Sequence, residues 1–273
     1  MSDMEQAPAG IDPTVPSMAR IYDYFLGGKD NFPSDRAAAE EVIRIGRESG
    51  YDIRELARAN RAFLVRAVRE LAEAGVRQFL DIGTGLPTQE NVHQVVKEIA
   101  PDARVAYVDN DPIVLVHARA LLADSPETIV LEGDLRRPKE ILDDPRIRDH
   151  FDFTQPIAIL VLALLHFFTD EDSVRGITAT LRDALPSGGY LVVSHAYSAT
   201  IDEDKADEVR SIYSKTSADG IVHRGPAALA PHFDGMELLE PGIVPVESWR
   251  PRDDQYPGDP SRSGYVGAVA RKP

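Results

Sequence analysis

The segment "FLDIGTGLPT" sets an acid, Asp81, two residues ahead of a turn made of Gly83, Thr84 and Gly85. Before it "VRQFLDI" reads as a strand, and after it "TQENVHQVVKEI" reads as a helix with Val92, Val95, Val96 and Ile99 on one face. Glycines in a strand-to-helix turn let a ligand approach the backbone closely. A dinucleotide site would offer amide donors and a helix N-terminus to a pyrophosphate, with a third glycine where the helix packs. Pro87 stands at that third position, without an N–H to donate, and Asp81 would face the phosphates with like charge. S-adenosylmethionine has no phosphate and carries an ammonium and a sulfonium, so the turn suits it better. Pro87 also fits a first helical position, with Thr88 a competing N-cap.

Two further acids follow strand-like runs. In "YVDND", Asp109 lies 24 residues after Gly85, near the spacing of about 20 from which a carboxylate accepts both ribose hydroxyls. Asn110 adjoins it, and Asp111 is assigned to cap the helix that opens at Pro112. In "EGDLRRP", Asp134 ends a strand where it would accept from an adenine amino group, with Leu135 beside it.

A sulfonium already activates its methyl group, so a protein using it mainly aligns an acceptor, and a base is optional. His166, in "LLHFF", falls at the C-terminal sheet edge where open α/β folds bind ligands. It is the candidate base, although packing between Leu165 and Phe167 is the preferred reading. His195 and Tyr197 reach the same edge, and His93 is read as structural. The segment "ARIYDYFLGGKDNF" supplies Tyr22 as a second candidate at the reacting centre and Asn31 as a polar contact to the cofactor. We expect it to form a lid: Tyr22 and Phe25 cover an apolar pocket, Tyr24 meets the substrate, and Gly27-Gly28 is a flexible joint. The competing account is an amphipathic helix anchored on the core, with Gly27 as its C-cap. No pair among the seven histidines has zinc spacing, no acid cluster suits magnesium, and no G-x-S-x-G elbow occurs. No metal is expected.

These residues need a scaffold. Residues 1–16 read as a disordered tail, residues 17–75 as a helical cap or lid, and residues 76–273 as the cofactor-binding core. In the cap a first helix begins near Ser17, a second in "PSDRAAAEEVIRIGRE" with Ser34 as N-cap, and a third runs from Asp52, in capping-box spacing with Glu55, to Gly75. From Val76 strands and helices alternate: "ARVAYVD", "TIVLE", the wholly apolar run Ile157–Leu165 and "GYLVVSHA" are strands separated by helical stretches. That alternation predicts an α/β fold with a mostly parallel sheet covered on both faces. "MELLEPGIVPV" and "SGYVGAVAR" have no helix between them and are paired as a C-terminal antiparallel hairpin.

The 273 residues, 43% hydrophobic and 27% charged, suit one large domain. Forty-five acids against thirty bases give a net charge of −15, which repels nucleic acid. No apolar run is long enough for a membrane span and "MSDMEQAPAG" has no signal-peptide pattern, so the expectation is a cytoplasmic protein. The absence of cysteine excludes disulfides and thiol chemistry.

The order D-x-G-x-G, an acid after strand two, "GD" after strand three and "LPSGGYLVVS" entering strand five resembles the class I S-adenosylmethionine-dependent methyltransferases. More narrowly, "SMARIYDYFLGGKDNF", "ARANRAFLVRAVRELAEAGVRQFLDIGTGLPTQENVH" and "YVDNDPIVL" look like an actinobacterial methyltransferase family formerly filed as a domain of unknown function. The resemblance spans about Pro16 to Arg271. It implies a Rossmann-like, seven-stranded sheet with a reversed C-terminal hairpin and cofactor contacts at Asp81, Gly83, Gly85, Asp109 and Asp134. The resemblance brings no substrate; the function expected here is methyl transfer from S-adenosylmethionine to an unidentified small molecule. A methyltransferase-like binder with a regulatory or interaction role is the alternative, and an NAD-dependent oxidoreductase is disfavoured by Asp81 and Pro87.

Overall fold

The switch from long helical patterns to short alternating runs at residue 76 is where the backbone changes from helices to sheet. The computed structural model describes residues 11–87, 90–122, 125–198, 201–216, 218, 220–252 and 258–273. Three helices come first: α1 Met18–Phe25, α2 Pro33–Glu48 and α3 Ile53–Glu73. The strands are β1 Gln78–Ile82, β2 Arg104–Asp109, β3 Thr128–Glu132, β4 Ala158–Leu162, β5 Tyr190–Ala196, β6 Glu237–Leu238, β7 Val244–Pro245 and β8 Tyr265–Arg271. Between them lie α4 Val92–Lys97, α5 Pro112–Leu122, α6 Pro138–Leu142, α7 Pro145–His150, α8 Glu171–Ala184, α9 Glu203–Tyr213 and α10 Pro226–Leu229. The sheet order is β3-β2-β1-β4-β5-β8-β6, with β7 also on β8. β1 to β5 pair in parallel and β8 runs antiparallel to β5.

Side chains alternate across this sheet, and both faces are apolar. Phe79, Val105, Leu160 and Val192 pack under Phe63, Val68 and Leu71 of α3 and Val95 of α4. Leu80, Val108, Ile159 and Val193 pack on the other face with Ile141, Ile147, Val174 and Leu181. The Phe63 ring meets Trp249 edge-on at 5.4 Å, and buried Arg66 donates to the carbonyls of Trp249 and Val246. So α3 is a layer of the sheet's own core, and the expected boundary at residue 75 marks a helix end rather than a break in packing. Among the described residues no helix is long and apolar enough to cross a membrane.

Several expectations are corrected. Residues 11–16 are an ordered turn, in which Asp12 accepts from the amide and hydroxyl of Thr14, rather than a disordered tail; residues 1–10 lie outside the described ones. Ser34 sits inside α2, with its hydroxyl on the Pro13 carbonyl, and Asp35 caps the helix by accepting the Phe32 amide. Pro87 does not start α4. Asn91 holds the N-cap position, because Glu90 takes φ +60° and turns the chain first; the alternative cap Thr88 lies outside the described residues. The run Ile157–Leu165 yields a strand only to Leu162, since Ala163 adopts φ +50° and Leu165–Phe167 form a 3₁₀ turn. The hairpin's first strand is two short pieces, β6 and β7, because Pro241 and Gly242 interrupt it, so the expected seven-stranded path is kept and β7 is added beside β8.

Candidate active site

Strand order reverses between β1 and β4, which opens a crevice at their C-terminal ends, where α/β sheets bind ligands. A cavity of about 460 Å³ fills that crevice, a size that takes a small organic ligand. Asp81 to Gly85 at the end of β1 and just beyond it, Asp109 to Asp111 likewise at β2, and Gly133 to Arg136 after β3 all line it. Topology thus brings together acids that lie up to 53 residues apart in the chain, from Asp81 to Asp134.

Asp81, at the end of β1, is buried, and burial pushes its carboxyl up to about 6 against the opposing pull of the Arg61 charge and the Thr84 hydroxyl. Gly83 and Gly85 have φ of +72° and +67°, which glycine alone adopts without strain. A Cβ on Gly83 would meet the Leu164 side chain at 2.3 Å, whereas one on Gly85 would stand in open space. Asp109 is also buried. One of its oxygens accepts the Gly85 amide and the other the Asp111 amide, both at 2.9 Å, and burial raises its carboxyl to about 6. Asn110 is exposed at the rim. Asp111 caps α5 through the Ile113 amide at 2.9 Å, as its place before Pro112 predicts. Asp134 is bound by Arg136. Burial alone would raise its carboxyl, but the Arg136 hydrogen bonds outweigh it and leave the group lowered. Leu135 is a buried part of the lining.

The N-terminal segment forms another part of the cavity wall. Ile11, Val15, Ser17, Tyr22 and Phe25 all line the cavity. Buried Arg20 donates to Asp35 at 2.7 Å and to the Val15 carbonyl, and its guanidinium lies 3.5 Å from Asp111. Ser17 completes the latch, its amide on Asp35 and its hydroxyl on Asp111. Gly27 and Gly28 are no loose joint: their amides return to the carbonyls of Tyr24 and Asp23 at 3.1 and 2.9 Å, a Schellman cap with Gly27 at φ +83°. Tyr24 does not line the cavity, since its hydroxyl binds Glu40. Asn31 is likewise outside the lining. Its amide donates to Asp23 and Gly28 and its oxygen accepts from Arg36, so it ties the loop after α1 together.

Helix α3 contributes two residues that periodicity did not single out. Asn60 and Arg61 line the cavity, and Asn60 Oδ1 and Arg61 Nε are buried without a hydrogen-bond partner from the protein. The amide orientation of Asn60 follows from its neighbour. Tyr22 spends its hydroxyl proton on the Ala57 carbonyl, so its oxygen must accept from Asn60 Nδ2 at 3.0 Å, leaving Oδ1 for a ligand.

His166 lines the cavity but is buried, and its Nδ1 accepts the Ala196 amide at 3.2 Å. In the neutral ring the proton is therefore on Nε2, and burial holds its pKa well below the usual value. His166 presents a donor. His195 donates Nδ1–H to the Ala196 carbonyl and accepts Arg224 at Nε2, a closed network inside the sheet. Tyr197 is outside the lining, and His93 bonds Tyr107, as a structural residue would.

The profile of a protein family described as S-adenosyl methyltransferase matches residues 4–273. The chain belongs to that family. This S-adenosyl methyltransferase is 39% identical to a Thermobifida fusca protein whose crystal structure was named provisionally as a methyltransferase. The match covers 98% of each chain with a TM-score of 0.87. It is 42% identical to a DUF574 family protein of known structure from Streptomyces avermitilis, over 96% of this chain and 99% of that one, with a TM-score of 0.84. Among curated proteins none matches. The methyltransferase's cofactor is S-adenosyl-L-methionine, which sets the NAD alternative aside. Its residues fit that molecule in chemistry: an orphan acceptor, Asn60 Oδ1, and an orphan donor, Arg61 Nε, are complementary to the ammonium and carboxylate of an α-amino acid.

Proposed function

We propose that this enzyme moves the methyl group of S-adenosylmethionine to a small-molecule acceptor inside the cavity closed by α1. The observation that carries the reading is the pair of orphaned atoms on Asn60 and Arg61 in the same cavity as buried Asp81 and Asp109. Bound there, the cofactor supplies a methyl group already activated by its sulfonium sulfur.

In this reading Asn60 Oδ1 accepts from the cofactor's ammonium and Arg61 Nε donates to its carboxylate, while Asp81 adds a nearby negative charge. Tyr22 acts as a positioning residue, because its hydroxyl aims the Asn60 amide. Each Asp109 oxygen accepts one amide and keeps acceptor capacity for a ribose hydroxyl. The turn Gly83-Thr84-Gly85 lets the nucleoside lie against backbone, and Asn110, Asp134 and Leu135 border the base. Asn31 serves the cap and has no direct cofactor role.

Catalysis then rests on alignment and exclusion of water by the latched cap. His166 donates from Nε2 and does not serve as the base; the proton that the acceptor's hydroxyl or amine gives up on methylation is lost to water as the products leave. Release of S-adenosylhomocysteine from S-adenosylmethionine, followed chromatographically, tests this. Product that forms only when a small-molecule extract is added supports the transferase. Product independent of any acceptor, or none with every extract fraction, contradicts it.

A further inference from the structure

The wall of the cavity beyond His166 differs in chemistry from the wall assigned to the cofactor. Phe25 comes from α1, Phe167 and Phe168 from the turn after β4, Tyr213 from the end of α9, Ile221 from the next loop and Tyr265 from the start of β8. Several of these are in mutual contact. Phe167 lies 5.2 Å from Tyr213 between ring centroids, and the His166 ring lies 4.2 Å from Phe167 and 6.1 Å from Tyr265. Phe25, Tyr213 and Ile221 belong to one buried cluster that Tyr22, Phe167 and Tyr265 border.

The polar atoms on this wall are uncharged. The hydroxyls of Tyr213 and Tyr265 have no hydrogen-bond partner among the described residues, and burial pushes both phenols up, so they stay protonated. With the Nε2–H of His166, they make a short row of neutral donors and acceptors. Among the described residues, the charged side chains lining the cavity come from residues 12–20, from α3 and from the ends of β1 to β3. None comes from the β4, α9 or β8 side. A carboxylate or ammonium placed there would lose its hydration with no countercharge to replace it.

We infer that the methyl acceptor is an uncharged aromatic compound, its ring against Phe25, Phe167 and Tyr213 and its polar group at the Tyr213 and Tyr265 hydroxyls. The inference rests on the methyltransferase reading above and adds the chemical class of acceptor. Flat rings gain from edge and face contacts with aromatic walls, and unpaired phenols reward a neutral hydroxyl or amine more than a second hydrocarbon.

Four probes of one shape and different charge decide it: 2-naphthol, 2-naphthylamine, 2-naphthoate and 2-naphthylmethylammonium. Each is titrated calorimetrically into the full chain near neutral pH, with and without saturating S-adenosylhomocysteine. The two neutral probes are expected to bind at least about tenfold more tightly than either charged one. Charged probes that bind as well, or a protein that binds none of the four, would overturn the inference. Phe167→Leu locates the site: it should weaken 2-naphthol several-fold and leave S-adenosylhomocysteine unaffected, and unchanged naphthol affinity would put the ring elsewhere and refute the assignment. Failure of S-adenosylhomocysteine to bind would defeat the cofactor reading alone, since the cofactor-free titration still ranks the probes.

Discussion

Asp81 and Asp109 are carboxylates removed from water before any cation is present. Burial raises each from 3.8 to about 6, so ionising them costs the empty fold. Their contribution favours folding most below the unfolded value and is lost as pH rises through about 6. A bound cation reverses this by favouring the ionised forms. Affinity for S-adenosylmethionine should therefore fall about tenfold for each required carboxylate between roughly pH 7 and pH 5, as read by calorimetry. A flat profile would mean that neither acid serves the cofactor. Asp109→Ala should weaken cofactor binding by about 1–3 kcal/mol, through lost hydrogen bonds to a charged acceptor. His166→Ala should leave cofactor affinity intact and lower the melting temperature, because the Ala196 amide loses its acceptor; an equally stable variant without turnover would contradict the packing role. Asp81, Gly83 and Asp109 were legible in the sequence because strand-end acids and a glycine turn have a spacing of their own. Asn60 and Arg61 were not. They sit between Leu56 and Leu64 on a helix with many other polar positions, so periodicity does not mark them, and the orientation of Asn60 depends on Tyr22, 38 residues earlier in sequence.

Helix α1 carries features of both readings of its sequence. Ile21 and Phe25 anchor it in a buried cluster with α2 and α9, as the amphipathic account expects, while Tyr22 and Phe25 line the cavity, as a lid would. Contacts among Ser17, Arg20, Asp35 and Asp111 hold it beside the cavity. Asp35→Ala would take from buried Arg20 the nearer of its two carboxylate partners, leaving Asp111 at 3.5 Å, and should cost about 3 kcal/mol in urea unfolding. A change under about 1 kcal/mol would place the latch outside the folded core. Removal of residues 1–33 should leave a folded sheet by circular dichroism with cofactor affinity reduced at least about tenfold, and full affinity in that truncation would refute the lid. Helix ends written in local chemistry, such as Asp52 with the Arg54 amide and Gly75 after α3, were readable. The end of β4 was not, since nothing in an apolar run announces that Ala163 turns to positive φ. Asp35 displaced Ser34 as the cap of α2 because tertiary partners, Ser17 and Arg20, claim it as well.

The molecule as a whole is a sheet whose two apolar faces oblige every ligand to approach its C-terminal edge. Strand alternation made that edge, and the acids on it, predictable. The order β3-β2-β1-β4-β5-β8-β6 came only with the structure, together with the division of the cavity into a charged and an aromatic wall, because both depend on contacts between distant segments such as α1, α9 and β8. In the proposed function this cavity holds the cofactor between α3 and the ends of β1 to β3. Electron density from a crystal of the full chain grown with S-adenosylhomocysteine tests it most directly. The ribose hydroxyls are expected on Asp109 and the amino-acid end at Asn60 and Arg61. Density that lies outside the cavity, or that leaves Asp109, Asn60 and Arg61 untouched, would contradict it.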